Sequence, residues 1–430
     1  MNILIVGGGG REHTIVWKLS QSPKINKIFC APGNAGIAAH AECLDIKPED
    51  INGLLKAACD NSIDLTIVGP ELPLSLGIVN LFEKNNCPII GPSKEATCIE
   101  SSKVFAKYIM DKYHIPTANY QVFTEYDEAI VYLQRQSFPL VIKVDGLAGG
   151  KGVLIVHDLS QAKKALSDII KDNKFGQAGK QVIVEEFLEG DEVSMLVFTD
   201  GKNFLPMISS QDHKKISDGD VGPNTGGMGA YSPVPFFDDI TKEWVLKNIF
   251  KPVIKGMEQE GKKFKGVLYA GLVLTEKGPK VLEFNARFGD PETQVILPAL
   301  ETDLMELFCA IQEECLDKIE IKWKKQYSVC VVLASGGYPE KYKKGKTIVG
   351  LEELQKRQNL MVFHAGTEKA GNNFITSGGR VLGVTAWAQT LPEAINDVYA
   401  GLNKIHFDGL QYRKDIGKKG LKLLQGNNRF

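Results

Sequence analysis

The sequence predicts an α/β protein of several units, with a parallel sheet at the start and strand-rich units after it. Three observations carry this. Short apolar runs alternate with amphipathic stretches through the first hundred residues, as in a parallel sheet covered by helices. A glycine-rich loop at 145–153 lies between two strand-like runs rather than before a helix. The run LEFNARF (282–288) alternates apolar and polar residues, the period of a strand with one buried face. At 430 residues the chain exceeds what one hydrophobic core serves, so roughly two to four structural units are expected.

In order, NILIV (2–6), KIFCA (27–31), LTIVG (65–69) and CPIIG (87–91) read as strands, each ending in glycine or proline where ligands of parallel sheets gather. The helix-like SSKVFAKYIMDKY (101–113) opens a second unit, in which YQVF, PLVIKV, VLIV and QVIVEEFL are strands. Further strands, a helix near 241–260 and the LEFNARF run follow, then VCVVLAS, VLGVTAWA and the helix LPEAINDVYAGLNKI. The units expected are 1–102, 103–190, 191–325 and 326–417, with a loose basic tail at 418–430.

With 51 basic and 52 acidic residues the net charge is −1, which argues against a nucleic-acid surface or an acidic tail. The eight cysteines show neither CxxC pairs nor zinc spacing and sit mostly in apolar contexts, so buried free thiols in a reducing, cytoplasmic setting are expected. The start has too short an apolar run for a signal peptide, and no stretch reaches transmembrane length.

The first glycine loop, VGGGGREH (6–13), follows a strand and opens a helix, so its amides are placed to cradle an anion. A dinucleotide fits poorly: Glu12 stands where a third glycine belongs, and Ala31 ends the second strand where a ribose-binding acid is needed. A smaller phosphorylated ligand held by Gly9, Gly10 and Arg11, with Gly33, Asn34 and Gly36 as a second turn, is the better reading. Glycines serving only to pack helix on strand carry equal weight for this loop alone.

The second loop, DGLAGGKGV, is not a P-loop, because Gly152 follows Lys151 and a strand comes next. A flap between antiparallel strands is expected, closing on a triphosphate through the amides of Gly149 and Gly150 and through Lys151, with Lys143 beneath. In QVIVEEFLEGDEVS, Glu185, Glu186, Phe187 and Leu188 form a stretch able to meet a purine, with Glu192 near the ribose; generic acidic surface is an equal alternative. The polar face of LEFNARF sets Glu283, Asn285 and Arg287 in a row. Oxygen donors suit a hard divalent cation, and a guanidinium suits carboxylate or phosphate.

This order of parts resembles an ATP-grasp enzyme. RFGDPETQ (287–294), QDHK (211–214), GPNTGGMGAYSP (222–233), VGGGGREH and GNAG (33–36) are similar to the signatures of the glycinamide ribonucleotide synthetase (phosphoribosylamine–glycine ligase) family. The resemblance implies an ATP-grasp architecture behind an N-terminal Rossmann-like domain, and a monofunctional, monomeric ligase of purine synthesis. Its expected substrates are ATP, glycine and 5-phosphoribosylamine, with no nucleic-acid or membrane partner. It further implies Mg²⁺ or Mn²⁺ at Glu283 and Asn285, with water or a more distant group completing the shell. Catalysis falls to Arg287, Lys143 and Lys151. ATP is implied at Lys103, Lys143, Gly149, Gly150, Lys151, Glu185, Glu186, Phe187, Leu188 and Glu192. Glycine is implied at Asp212, Arg287 and Gly289. The phosphoribosylamine is implied at Gly9, Gly10, Arg11, Gly33, Asn34, Gly36, Glu71, Asn224, Gly226 and Gly227. Asp290 is expected to have only an organising role; His213 and Lys214 are placed to contact phosphates, with His213 kept out of the catalytic set because a lone histidine is more often structural. The alternatives are an ATP-grasp ligase for another carboxylate–amine pair, an NAD-dependent oxidoreductase built on the first loop, and a silent nucleotide-binding module.

Overall fold

The computed structural model describes residues 1–148, 152–354 and 356–426. Asn2–Gly7, Lys27–Pro32, Glu42–Cys43, Leu65–Val68 and Ile89–Ile90 form a five-stranded parallel sheet with the first strand at its centre. Successive side chains leave a strand on opposite faces, so Ile3 and Ile5 enter one core while Leu4 and Val6 enter another. Helix Gly10–Leu19 fills the first with Ile15, Val16 and Leu19, and helix Ile51–Asp60 fills the second with Leu54 and Ala58. Both faces are covered, as continuous apolar strands require.

The second sheet runs Tyr120–Phe123, Val182–Glu186, Leu140–Val144, Val153–Val156, all antiparallel. Lys143 lies opposite Val153, so the second glycine loop joins two antiparallel strands, as its flanks predict. Helices Tyr126–Leu133 and Leu159–Leu166 cover this sheet around Leu133, Ile142 and Leu166.

The third sheet holds Phe204–Pro206, Asp191–Thr199, Gly266–Thr275 and Gly278–Asn285. Here the simple alternation fails. Gly271 pairs with Glu283 but Leu272 with Val281, which leaves Leu282 as the extra residue of a β-bulge. Val281, Phe284, Ala286 and Phe288 reach the core, whereas Leu282 is only half-buried and its carbonyl is turned toward other partners.

The expected boundary at 325/326 does not separate sheets. Strand Gln211–Asp212 pairs with Gly229–Ser232, which pairs with Tyr327–Ala334, and the sheet continues into Arg380–Ala388 and Leu360–His364. Gly229 permits the join, since a Cβ there would lie 2.5 Å from the Cys330 carbonyl oxygen. Nor are residues 418–426 of the expected tail loose. Lys418–Gly426 is a helix: Leu421 packs on the main core, Lys419 Nζ pairs with Asp191 at 2.8 Å, and Gly420 abuts the Tyr231 ring. Local basicity hid an apolar stripe that this core accepts. Among the cysteines only Cys30 and Cys330 are buried; Cys43 and Cys59 are exposed, and all eight are free thiols. Among the described residues no helix is long and apolar enough to cross a membrane.

Candidate active site

The turn after Gly278–Asn285 carries Arg287, and the chain clamps it from several sides. Its Nε donates to Glu71 Oε2 at 3.2 Å, one Nη1 donates to the Phe288 carbonyl at 3.2 Å, and Nη2 donates to Asn285 Oδ1 at 3.3 Å. Nη2 also pairs with Glu100 Oε1 at 3.0 Å, and Glu100 Oε2 accepts the Ala286 N–H at 2.7 Å. Glu71, expected among the phosphoribosylamine ligands, therefore meets the guanidinium. Glu100 was not foreseen.

Glu283, half-buried beside Arg287 on the same strand edge, lies 3.9 Å from Lys214 Nζ. Burial works to raise its pKa, but Lys214, Lys143, Lys103 and Arg287 outweigh it and hold the carboxyl below its ordinary value. Among the described residues it accepts no hydrogen bond, so an ionised carboxylate with open lone pairs sits beside the Asn285 amide oxygen. Among the described residues no three His, Cys, Asp or Glu side chains gather as a metal cage. A magnesium ion that travels with a triphosphate needs only one or two protein oxygens, and Glu283 with Asn285 fits that demand.

Cations ring this edge. Lys143 Nζ donates to the carbonyl of the bulged Leu282 at 3.1 Å and pairs with Glu185. Lys107 Nζ lies 2.5 Å from the other Glu185 oxygen, an ion pair made off the hydrogen-bonding axis. The Glu185 carboxylate thus serves two buried lysines rather than facing outward to a ligand. Glu186 binds Lys280 at 2.9 Å and the Asn119 N–H at 3.1 Å. Phe187 is exposed and Leu188 half-buried, leaving apolar surface at this hinge. Lys103 Nζ reaches the Gly146 carbonyl at 3.1 Å, and Glu192 pairs with Lys214 at 3.2 Å. The predicted contributions of Gly149, Gly150 and Lys151 lie outside the described residues.

On the other side, Asp212 Oδ1 is buried without a hydrogen-bond partner among the described residues. Burial, then Glu292, raises this carboxyl well above its ordinary pKa. Glu292 is itself buried and accepts from Ser194 Oγ at 3.2 Å. Gly227, at φ +106°, closes the space: a Cβ there would stand 2.4 Å from Pro291 Cδ and 2.7 Å from Asp212 Oδ1. The Gly289 carbonyl caps Thr293 Oγ1 at 2.5 Å. His213 is buried with Nδ1 unpartnered, and burial lowers its pKa to about 4, so it is neutral. Arg380, which sequence reasoning did not single out, pairs with Asp290 Oδ2 at 3.1 Å and donates to the Asp290 carbonyl at 2.7 Å and to the Gly226 carbonyl. The Gly226 N–H donates to Tyr338 Oη at 3.0 Å. Asn224 ends the strand Val221–Asn224 that leads into this loop.

The first glycine loop corrects an expectation. Glu12 folds back so that Oε2 accepts the Gly9 N–H at 2.6 Å and Oε1 accepts Arg11 Nε at 2.7 Å. The helix N-terminus is thus capped by the protein's own carboxylate, and the Gly9 amide is not open to a phosphate. Arg11 Nη1 donates to the Phe288 carbonyl at 3.1 Å, and Gly10 lies against Gln294. Asn34 spends its amide on the Gly8 and His364 carbonyls, its oxygen accepts the Gly36 N–H at 2.9 Å, and Gly36 packs on His13 and His364. Gly33, Asn34 and Gly8 nevertheless line an open groove of about 590 Å³ with Thr367, Lys369 and Ser377.

A strand lysine that meets an antiparallel sheet edge offering carboxylate, amide and guanidinium is the arrangement of an ATP-grasp protein. The biotin carboxylase of Campylobacter jejuni shares the fold, at TM-score 0.74 and 16% identity, over 97% of this chain and 94% of that one. The chain belongs to the phosphoribosylglycinamide synthetase family. Residues 1–100 match its N domain, 101–293 its ATP-grasp (A) domain and 328–419 its C domain. Phosphoribosylamine–glycine ligase of Caldanaerobacter subterraneus is 52% identical over 97% of this chain and 99% of that protein. The Halalkalibacterium halodurans protein of the same name is 50% identical over 98% and 97%. The crystal structure of phosphoribosylamine–glycine ligase from Thermotoga maritima superposes at TM-score 0.84, with 33% identity, over 97% of this chain and all of that one.

Proposed function

We propose that this chain ligates glycine to 5-phosphoribosylamine, using ATP and giving glycinamide ribonucleotide, ADP and phosphate. The observation that carries the reading is the shared edge of Glu283, Asn285 and Arg287, with three lysines acting on its carboxylate. A carboxylate is a poor acylating agent. Its oxygen attacks the γ-phosphorus, ADP departs, and the resulting glycyl phosphate gains a good leaving group. The phosphoribosylamine nitrogen then attacks the acyl carbon and phosphate leaves.

Such transfer is mainly alignment and charge neutralisation. Glu283 and Asn285 would hold magnesium or manganese, which would supply charge neutralisation to the ATP phosphates. Lys143, Lys103 and Lys214 add fixed positive charge there, and the sequence motif assigns Lys151 to the same phosphates. Phe187 and Leu188 offer the purine an apolar wall, with Glu186 beside it and Glu192 near the ribose. Asp212 takes glycine's ammonium, and Gly227, packed against Pro291 and the Asp212 carboxylate, keeps that carboxylate in place. Arg287 neutralises the glycine carboxylate and then the acyl phosphate, next to Gly289. Residues 1–102 present the amine substrate through Gly10, Arg11, Gly33, Asn34 and Glu71, facing Asn224, Gly226 and Gly227. Residues 103–190 cover the nucleotide, and 191–325 hold metal and glycine. We read the enzyme as a cytoplasmic monomer. ADP release measured with each substrate omitted in turn is the test: release that ignores glycine or phosphoribosylamine would assign the chain another carboxylate–amine pair.

A further inference from the structure

We infer that Glu100 is a positioning residue for the ligation, holding Arg287 at a fixed angle to the acyl phosphate; this rests on the ligase reading above. Glu100 is the next-to-last residue of helix Lys94–Ser101, before the turn into the next helix. Its side chain is 6% exposed and touches the site at two points. One oxygen accepts the N–H of Ala286, the first residue beyond the regular strand, at 2.7 Å. The other pairs with Arg287 Nη2 at 3.0 Å.

One carboxylate therefore ties the backbone where the strand turns to the guanidinium that the turn presents. Glu71 also pairs with Arg287, but its side chain is 34% exposed and it touches only Nε, so it is the replaceable partner. Among the described residues, Nε donates to Glu71, Nη2 to Asn285 and Nη1 to the Phe288 carbonyl, while Glu100 holds Nη2 as an ion pair, so only two of the five N–H groups make no hydrogen bond. A guanidinium pinned in this way offers its remaining donors in fixed directions. A transition-state contact needs that, because freedom retained by the cation would have to be lost again during reaction.

Glu100→Gln keeps an acceptor for the Ala286 N–H and removes the charge facing Arg287. The expected result is a fall of about tenfold or more in kcat/KM for glycine, with the KM for ATP held within about twofold. In a double-mutant cycle with Arg287→Lys, the combined loss is expected to fall well short of the product of the single losses. An additive cycle, or an unchanged kcat/KM for glycine, overturns the assignment and leaves Glu100 a structural prop. A readout independent of activity accompanies these: modification of Arg287 by phenylglyoxal, mapped by peptide mass, is expected to quicken several-fold in Glu100→Gln, and an unchanged rate is equally fatal. Should that variant fail to fold, Glu100→Asp, too short to reach both partners, is read by the same two criteria. If the unaltered chain shows no glycine-dependent ADP release, the ligase reading falls, while the modification rates still decide whether Glu100 holds Arg287.

Discussion

Replacing Glu185 with alanine would strand two lysines in the interior. The side chains of Lys107 and Lys143 are 3% and 7% exposed, so water gives little relief. Burial already holds Lys107 below the ordinary lysine pKa, and Glu185 is the largest opposing influence. Without it, the folded variant escapes two adjacent buried charges by releasing one proton. Deprotonating a lysine at pH 7, about 3.4 units below its ordinary pKa, costs about 4.6 kcal/mol. Removing one member of a buried ion pair costs about 3–5 kcal/mol in other proteins, so the two routes agree on a loss of about 4 kcal/mol. The assay is urea denaturation of parent and variant, compared by midpoint at equal slope. The variant's pH dependence supplies a second check. A lysine whose folded pKa is depressed keeps its contribution above the unfolded pKa and loses it as pH falls toward the folded one. The variant's deficit should therefore shrink as pH rises from 7 to 9, by about 1.4 kcal/mol per unit. A loss under about 1 kcal/mol, or a deficit indifferent to pH, would refute the claim that this carboxylate is committed to the lysines.

Arg287→Ala should lower ligation by about a thousandfold while ATP binding, followed by nucleotide fluorescence, stays near that of the parent; ordinary turnover would remove Arg287 from the site. Glu283→Ala should shift the magnesium titration of ADP formation to at least about tenfold higher concentration, and an unmoved titration would exclude Glu283 as a ligand. Burial, then Glu292, raises the Asp212 pKa, so Asp212 ionises only at a pH above the usual carboxylate range. As pH falls below that point, kcat/KM for glycine should drop by about tenfold per unit, and Asp212→Asn should erase that limb. Gly227→Ala places a Cβ 2.4 Å from Pro291 Cδ at φ +106°; it should cost about 1–3 kcal/mol of stability and raise the glycine KM, and a variant as stable and active as the parent would contradict the crowding argument.

What could be read from the sequence was whatever depends on near neighbours. A period of two puts Glu283, Asn285 and Arg287 on one edge, and the strand after DGLAGGKG rules out a P-loop, because each inference needs only the next few residues. The Leu282 bulge escaped for the same reason: it is set by a register shift against Gly271 and Leu272 on the neighbouring strand, which no local pattern reports. Glu12 was within reach. An acid three residues after the helix-capping position is a capping signal, and reading it as a missing glycine turned an occupied N-terminus into an apparent phosphate cradle.

Glu100 lies 186 residues before Ala286, and Arg380 lies 90 residues after Asp290, so neither pairing leaves a mark on its own surroundings. KEATCIES reads as an ordinary polar helix end, and SGGRVLGV as a strand beginning with a solvated arginine. The consequence reaches past this chain. A local pattern can say which side chains share a surface, and chemistry can say what ligand they suit, but only tertiary contact says how much of their bonding capacity is already used. Arg287 shows the difference: its sequence context offers five donors, whereas its hydrogen bonds to other described residues leave two to spend on a substrate. A role for such a residue is better argued from the donors it has left than from those it was born with.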